Sequence, residues 1–160
     1  MHITFIQTGG TIDKDYPKST KGWAFEIADA AVLRLLEKLK PSFTYEVLPL
    51  LKKDSLEITT EDRQLLYDTI KNLKSNKVII THGTDTMRET ANFLHSITDK
   101  IIVITGAMRP ERFSNSDAAM NVGVAIGAVN VLTQGVYIAM HGQVLPYHKV
   151  QRNLLNGQYF

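Results

Sequence analysis

The chain has 160 residues and a mass of 18.0 kDa, which suits one compact domain because domains of about 100–150 residues are the commonest. Its 18 basic and 16 acidic side chains leave a net charge of +2, too even to indicate a nucleic-acid or anionic-membrane partner on charge alone. Cysteine is absent, which excludes disulfides, thiolate metal sites and cysteine nucleophiles. No apolar run approaches the ~20 residues that a spanning helix needs, so we expect a soluble cytoplasmic protein.

Short β-branched runs alternate with longer stretches of helical periodicity along the chain. In chain order the predicted elements are strand 3–7, helix 28–40, strand 43–48, helix 59–73, strand 77–81, helix 86–95, strand 101–105, helix 117–131 and strand 136–140. The helices at 59 and 86 are expected to begin at capping boxes, formed by Thr59 with Asp62 and by Thr86 with Glu89.

This alternation predicts an α/β fold of three layers, with a mainly parallel sheet covered by helices on both faces. The strands at 77–81 and 101–105 are apolar almost throughout, as strands buried on both sides should be. Ligands in such folds bind at the carboxyl ends of the strands, so the loops that follow the strands are the place to look for a site.

Three of these loops share a pattern of threonine followed closely by glycine. They are TGGT at residues 8–11, THGT at 81–84 and TGAM at 105–108. If the strands are parallel, the three loops converge on one edge, where glycine lets the main chain approach a ligand and threonine supplies a hydroxyl. The phosphate-binding spacings G-x-G-x-x-G and G-x-x-x-x-G-K-[ST] are absent, and no recognised zinc spacing is present, so neither a nucleotide site nor a metal site is predicted.

The segments FIQTGGTI (5–12) and HGTDTM (82–87) resemble the two signature motifs of the bacterial-type L-asparaginase/glutaminase family. GAMRP (106–110), followed by Ser116, Asp117 and Asn121, resembles a third block of that family. The resemblance implies the fold of the family's N-terminal domain, with residues 1–160 forming a single catalytic domain and the second domain of longer members absent. It also implies a homo-oligomer, a dimer or tetramer, whose sites borrow groups from a neighbouring copy.

The same resemblance implies hydrolysis of the side-chain amide of L-asparagine, with L-glutamine as an alternative substrate, to the acid and ammonia without a cofactor. Thr11 is then the nucleophile, and Tyr16 is the candidate for the tyrosine that lies beside it in the family. Trp23 occupies a second plausible place, but indole cannot accept a proton. The polar segment 13–22 has the composition of a closing lid.

Thr84 and Asp85 form the second half of the implied site, in which the family pairs this threonine with an aspartate and a lysine. Asp85 would also hold the substrate's α-ammonium group through a charge-assisted contact. Main-chain groups of Gly10, Gly83 and Ala107 are expected to contact the substrate, the Ala107 carbonyl receiving the leaving amide nitrogen.

Three departures from the family pattern affect the expected site. Asp13 replaces a small residue and brings a carboxylate close to Thr11. Matching on Asp54 puts Lys52 and Lys53 where the family has the Ser-Gln pair that binds the substrate carboxylate.

The third departure concerns the catalytic lysine. Ungapped alignment puts Arg152 at its position, whereas Lys149 lies three residues earlier; chemistry favours Lys149 as a base and spacing favours Arg152.

Two other functions therefore stand beside amide hydrolysis. One is an amino-acid-binding or regulatory module that keeps the pocket without turnover. The other is an amidase component that feeds ammonia to a larger assembly, as in the related amidotransferase subunits that act on charged tRNA.

Overall fold

The computed structural model of the protein describes residues 1–18 and 24–160. Eight strands alternate with four helices in this part of the chain. They are β1 (His2–Gly9), β2 (Lys14–Asp15), β3 (Glu26–Ile27), α1 (Ala31–Leu39), β4 (Thr44–Lys53), α2 (Thr60–Asn72), β5 (Lys77–Thr81), α3 (Met87–Leu94), β6 (Ile101–Thr105), α4 (Ala118–Val131), β7 (Gly135–Met140) and β8 (Gln143–Pro146). Two short 3-10 helices, Thr11–Asp13 and Ser55–Glu57, follow β1 and β4.

Six strands form one sheet in the order β4-β1-β5-β6-β7-β8. The first five run parallel, and only β8 pairs antiparallel with its neighbour β7. Alternate residues of each strand enter two separate apolar clusters: Phe5 and Ile79 face α1 and α4, whereas Ile6 and Ile80 face α2 and α3. The predicted α/β architecture of three layers with a mainly parallel sheet is therefore confirmed.

The first helix begins later than its sequence pattern indicates. The predicted helix starts at residue 28, but α1 starts at Ala31 because Asp13 binds the N–H groups of the preceding segment and of Ala31. The Asp13 carbonyl accepts a hydrogen bond from the Ala28 N–H at 2.9 Å, and its carboxylate oxygen Oδ1 accepts one from the Ala31 N–H at 2.7 Å. This contact joins the loop after β1 to the start of α1.

The strand predicted at 43–48 continues to Lys53 as β4. Pro49 lies within it, which an edge strand tolerates because one of its sides has no strand partner in the described part of the chain. This extension puts Lys52 and Lys53 on a strand rather than in a loop.

No helix among the described residues is long and apolar enough to cross a membrane.

Candidate active site

The loops that follow β1, β5 and β6 meet at one edge of the sheet, and glycines make the contact possible. A Cβ placed on Gly10 would lie 2.3 Å from the Cα of Gly83, and a Cβ on Gly106 would lie 2.3 Å from the carbonyl oxygen of His82. Real side-chain carbons cannot approach that closely. The loop after β5 is therefore in main-chain contact with the other two threonine-glycine loops.

A fourth segment, the turn after β4, completes this edge. The Gly10 N–H donates a hydrogen bond to the Lys53 carbonyl at 3.0 Å. Ser55 is buried against Gly83, and its hydroxyl oxygen accepts a hydrogen bond from the Asp85 N–H at 3.2 Å. Ser55 was not predicted from the sequence. The capping-box spacing of Asp54 and Glu57, both of whose hydrogen bonds are formed, was the signal that could have located this turn.

Thr11 and Thr84 are the residues next in sequence to the two glycines in contact, Gly10 and Gly83. Thr11 opens a 3-10 helix immediately after Gly10 and is partly exposed. Thr84 follows Gly83 and is buried. The two motif threonines are thus attached to main-chain segments that touch.

Asp85 forms an ion pair with Arg152, with 2.8 Å between Oδ1 and Nη2. Lys149 is exposed and forms no ion pair with any residue in 1–18 or 24–160. Of the two basic residues considered for the family's lysine position, the fold brings Arg152 to the aspartate. Arginine cannot take up a proton in this setting, so it can act there only as a fixed cation.

Tyr159 is a second buried side chain that the sequence did not predict at the site. Its hydroxyl donates a hydrogen bond to the Thr84 carbonyl, and the centre of its ring lies 5.8 Å from the guanidinium carbon of Arg152. Burial raises the pKa of Tyr159 to about 12, so the hydroxyl keeps its proton. No local sequence signal connects Tyr159 with Thr84, because they lie far apart along the chain.

The capping box predicted at Thr86 and Glu89 is wrong. No side chain of the described residues caps the start of α3, and the Thr86 hydroxyl instead donates a hydrogen bond to the Ser55 carbonyl at 2.8 Å. By contrast, the capping box of Thr59 and Asp62 is present. The Thr86 side chain therefore joins the second motif to the turn after β4.

His82 is buried under the site and holds its loop through a satisfied hydrogen-bond network. Nδ1 lies 2.7 Å from the Gly83 carbonyl oxygen, which can only accept, so Nδ1 carries the proton. Nε2 lies 2.8 Å from the hydroxyl of Thr90, which in turn accepts from Arg63. Burial lowers the pKa of His82 to about 4, and the ring is neutral at physiological pH.

Asp13 is completely buried and does not project into the open edge of the sheet. Burial raises the pKa of its carboxyl group to about 7. Gln7 lies beside it and donates from Nε2 to the Ala28 carbonyl at 2.8 Å. The Oε1 of Gln7 and the Oδ2 of Asp13 find no donor among the described residues, an arrangement that a proton on Asp13 would satisfy. The carboxylate that Asp13 brings close to Thr11 in sequence is therefore enclosed in the protein interior.

The first part of the predicted lid is fixed to the neighbouring loop. Asp15 pairs with Arg112 at 2.8 Å, and the exposed ring of Tyr16 packs on Phe25, which packs on Phe113. The ring centres are 5.2 and 5.7 Å apart in these two contacts.

The remainder of the predicted lid, at 19–22, and Trp23 lie outside the described residues.

The three residues matched to the family's carboxylate-binding pair and acidic position all engage other side chains. The Lys52 ammonium donates to Asp29 at 2.9 Å, and the Lys53 ammonium donates to Asp62 at 2.7 Å. Asp54 lies 3.6 Å from the Lys14 ammonium. Since both lysines are already paired with carboxylates, the geometry does not support their assignment to a substrate carboxylate.

Two residues of the third block, Asp117 and Asn121, fix the loop after β6 through hydrogen bonds to its main chain. The Asn121 amide donates to the Gly106 carbonyl at 3.0 Å, and the Asp117 carboxylate accepts hydrogen bonds from the Met108 N–H. Ala107, between these two anchored positions, is completely buried.

Comparison with known proteins agrees with this architecture. A family model described as "Asparaginase, N-terminal" matches residues 2–156. A glutaminase-asparaginase from Acinetobacter glutaminasificans is 31% identical over 167 residues, which cover 96% of this chain and 50% of the relative. A subunit of the glutamyl-tRNA(Gln) amidotransferase from Methanococcus maripaludis is 32% identical over 154 residues, covering 89% of this chain and 35% of the relative. The chain thus spans half or less of the length of these curated relatives.

Solved structures give the same result. The thermostable L-asparaginase from Thermococcus kodakarensis is 26% identical, with a TM-score of 0.84 over 95% of this chain and 48% of that one. A probable cytoplasmic L-asparaginase from Campylobacter jejuni is 27% identical, with a TM-score of 0.79 over 99% of this chain and 52% of that one. On these matches and on the fold, the chain belongs to the asparaginase family, in which it corresponds to the N-terminal domain.

Proposed function

We propose that this protein is an amidohydrolase that hydrolyses the side-chain amide of L-asparagine to L-aspartate and ammonia. The observation that supports this most directly is the main-chain contact between Gly10 and Gly83. It sets Thr11 and Thr84, the threonines of the two family motifs, on adjoining segments at the carboxyl edge of the sheet, where α/β folds bind their ligands.

In the proposed reaction the Thr11 hydroxyl oxygen attacks the carbonyl carbon of the side-chain amide. The hydroxyl proton passes to a base, and the C–N bond breaks as the nitrogen takes up a proton and leaves as ammonia. Water then cleaves the acyl-threonine ester, which restores the hydroxyl and releases aspartate. Tyr16 remains the candidate for the group beside Thr11, and reaching it from the aromatic contact with Phe25 requires the loop to move.

The ion pair of Asp85 and Arg152 has a binding role in this proposal. Asp85 is exposed, and one of its oxygens already faces the Arg152 guanidinium. The second oxygen is the one proposed to receive the substrate's α-ammonium group. Arg152 holds the carboxylate in place and takes no proton from Thr84 or from water.

Measured ammonia release tests the proposal. L-Asparagine and L-glutamine are supplied to the wild-type protein and to the Thr11→Ala and Thr84→Ala variants. The exposed Thr98 provides a matched control, since Thr98→Ala makes the same chemical change away from the site. We expect turnover in the wild type and in Thr98→Ala and its loss in Thr11→Ala. Unchanged turnover in Thr11→Ala removes the proposed nucleophile.

An ammonia-supplying component of a larger assembly is the second candidate function, because several matching relatives are subunits of glutamyl-tRNA(Gln) amidotransferases. An amino-acid-binding module without turnover is the third, because an arginine stands where hydrolysis would favour a proton-accepting lysine. Purification from the native source tests the second through co-purifying partners. Calorimetry with L-asparagine tests the third, since binding without ammonia would support it.

We further propose that residues 1–160 form one catalytic domain that works as a homo-oligomer in the cytoplasm. Light scattering on the purified protein tests the assembly: a dimer or tetramer is expected, and an active monomer would contradict it.

A further inference from the structure

The segment after β8 folds back on itself next to the candidate site. Arg152 and Tyr159 face each other across an isolated antiparallel bridge. The bridge is flanked by main-chain hydrogen bonds from the Gln151 N–H to the Phe160 carbonyl at 2.7 Å and from the Phe160 N–H back to the Gln151 carbonyl at 3.0 Å. We call residues 151–160 the C-terminal hairpin.

Two side chains of this hairpin reach the loop of the second motif. Arg152 pairs with the Asp85 carboxylate, and the Tyr159 hydroxyl donates a hydrogen bond to the Thr84 carbonyl. Leu154 and Leu155, at the tip, are almost fully exposed. The base of the hairpin therefore lies against the site while its tip points away.

Tyr159 also orients Arg152. The aromatic ring lies under the guanidinium group, with 5.8 Å between ring centre and carbon, and the same ring stacks on the ring of His141 at 6.3 Å. The Tyr159 N–H donates to Nδ1 of the same histidine at 3.2 Å. A buried aromatic ring fixed in this way attracts the guanidinium cation and so favours the position from which it contacts Asp85.

From these contacts we infer that Tyr159 is a positioning residue, which fixes the Thr84 main chain through its hydroxyl and the Asp85 carboxylate through Arg152. This inference rests on the proposed amide hydrolysis for its activity readout. It assigns two residues of the C-terminal hairpin, Arg152 and Tyr159, to the active site. Because the hydroxyl retains its proton, Tyr159 acts by donating a hydrogen bond and not by transferring a proton.

The Tyr159→Phe variant separates the two contacts, since it removes the hydroxyl and keeps the ring beneath Arg152. The Thr84 carbonyl then loses its donor, and we expect kcat for L-asparagine to fall about tenfold, while the melting temperature changes by no more than a few degrees. Phe160→Leu is the matched control: it alters the next side chain, which is half exposed, and is expected to leave kcat unchanged. A folded Tyr159→Phe variant with wild-type kcat overturns the inference. So does one that no longer folds, because Tyr159 would then be a structural residue.

A second measurement does not depend on activity. Amide ¹H–¹⁵N spectra of the wild type and Tyr159→Phe should differ mainly at residues 83–86 and 152. If the wild type releases no ammonia, the proposed function fails while this spectral test still stands. Shifts confined to the neighbours of residue 159 in the hairpin, with none in the second motif, overturn the positioning role whatever the activity.

Discussion

Gly10 and Gly83 touch through their main chains, so closely that a methyl group on Gly10 would lie 2.3 Å from the Gly83 Cα and 2.4 Å from its nitrogen. Gly10 also has a φ of +83°, a conformation that residues with a Cβ rarely adopt. Two independent restrictions therefore apply to this one position, and both arise where the two motif loops meet.

Gly10→Ala is expected to separate the loops. The backbone conformation alone, with φ +83° and ψ −175°, costs about 1–3 kcal/mol in a residue with a side chain, and the contact with the Gly83 main chain adds to that. We expect the free energy of unfolding to fall by more than about 2 kcal/mol and ammonia release to be lost. Gly127→Ala is the control: apart from its chain neighbours and the backbone of α4 itself, no atom of the described residues lies within 4 Å of the added methyl, so stability should rise by about 0.5–1 kcal/mol with activity retained. Urea denaturation and the ammonia assay check both variants, and similar behaviour of the two would contradict the contact.

Asp13 should make stability depend on pH. Its pKa is raised from 3.8 to about 7, so between these values the folded protein holds a proton that the unfolded chain has lost. The free energy of unfolding therefore falls as pH rises from about 4 to 7. Arg34 and Lys52 are the charged groups that oppose this shift.

Asp13→Asn removes the ionisation and supplies an N–H for the Oε1 of Gln7. The difference in free energy of unfolding between Asp13→Asn and the wild type should shift in favour of the variant by at least about 1 kcal/mol as pH rises from about 5 to 8. His82 has the opposite effect on stability, which is lost as pH falls from 6.5 towards 4, but it is present in both proteins and cancels in the difference. Chemical denaturation at several pH values measures this, and a difference that stays constant with pH would refute the assignment.

Variants of Arg152 and Lys149 test which of the two cations forms the functional ion pair with Asp85. Arg152→Gln removes a charged hydrogen bond, and we expect kcat/KM for L-asparagine to fall about tenfold or more. Arg152→Lys keeps the charge and should retain more activity than Arg152→Gln. Lys149→Gln should match the wild type, because that side chain is exposed and forms no ion pair with Asp85. A larger loss in Lys149→Gln than in Arg152→Gln would reverse this assignment.

The Glu111 carboxylate should contribute more to the stability of the protein than the exposed Lys38 side chain that pairs with it. Its buried carboxylate accepts from Arg34 at 2.6 Å and from the largely exposed Lys38 at 3.2 Å, and its N–H donates to the Ile12 carbonyl at 3.1 Å. Glu111→Ala leaves Arg34 without its partner and is expected to cost about 1–3 kcal/mol. Lys38→Ala should cost less than about 0.5 kcal/mol. Thermal unfolding compares them, and equal effects would show that the pairing with Arg34 contributes little.

The parts of the fold that could be predicted well from sequence are those with a local cause. Continuous β-branched runs mark β5 and β6, whose strands are buried on both faces. The three threonine-glycine loops were expected to converge on one edge of the sheet, and they do; their glycines, expected to let the main chain approach a ligand, let the loops contact one another's main chain. In these cases neighbouring residues alone carry the signal, because a buried strand and a tight turn each require particular side chains in a row.

The parts that were missed depend on contacts between distant residues. The start of α1 is set by the Asp13 carboxylate rather than by its own sequence pattern. Ser55 belongs to the site only because β4 extends to Lys53, and Tyr159 only because the C-terminal hairpin folds back on Thr84. The capping-box spacing of Asp54 and Glu57 marks the turn that holds Ser55, but no periodicity or motif in these segments indicates which distant loop each of them contacts.

The position of β1 in the middle of the sheet has a consequence for how the protein is made. Thr4 of β1 pairs on one side with Glu46 and on the other with Val78, so this buried strand leaves the ribosome long before either neighbour exists. Pairing so distant in sequence slows folding and prolongs the exposure of aggregation-prone surface. Newly synthesised chains should therefore need chaperone protection until β5 has emerged, and the threonine proposed as nucleophile stays without its counterpart for the same interval.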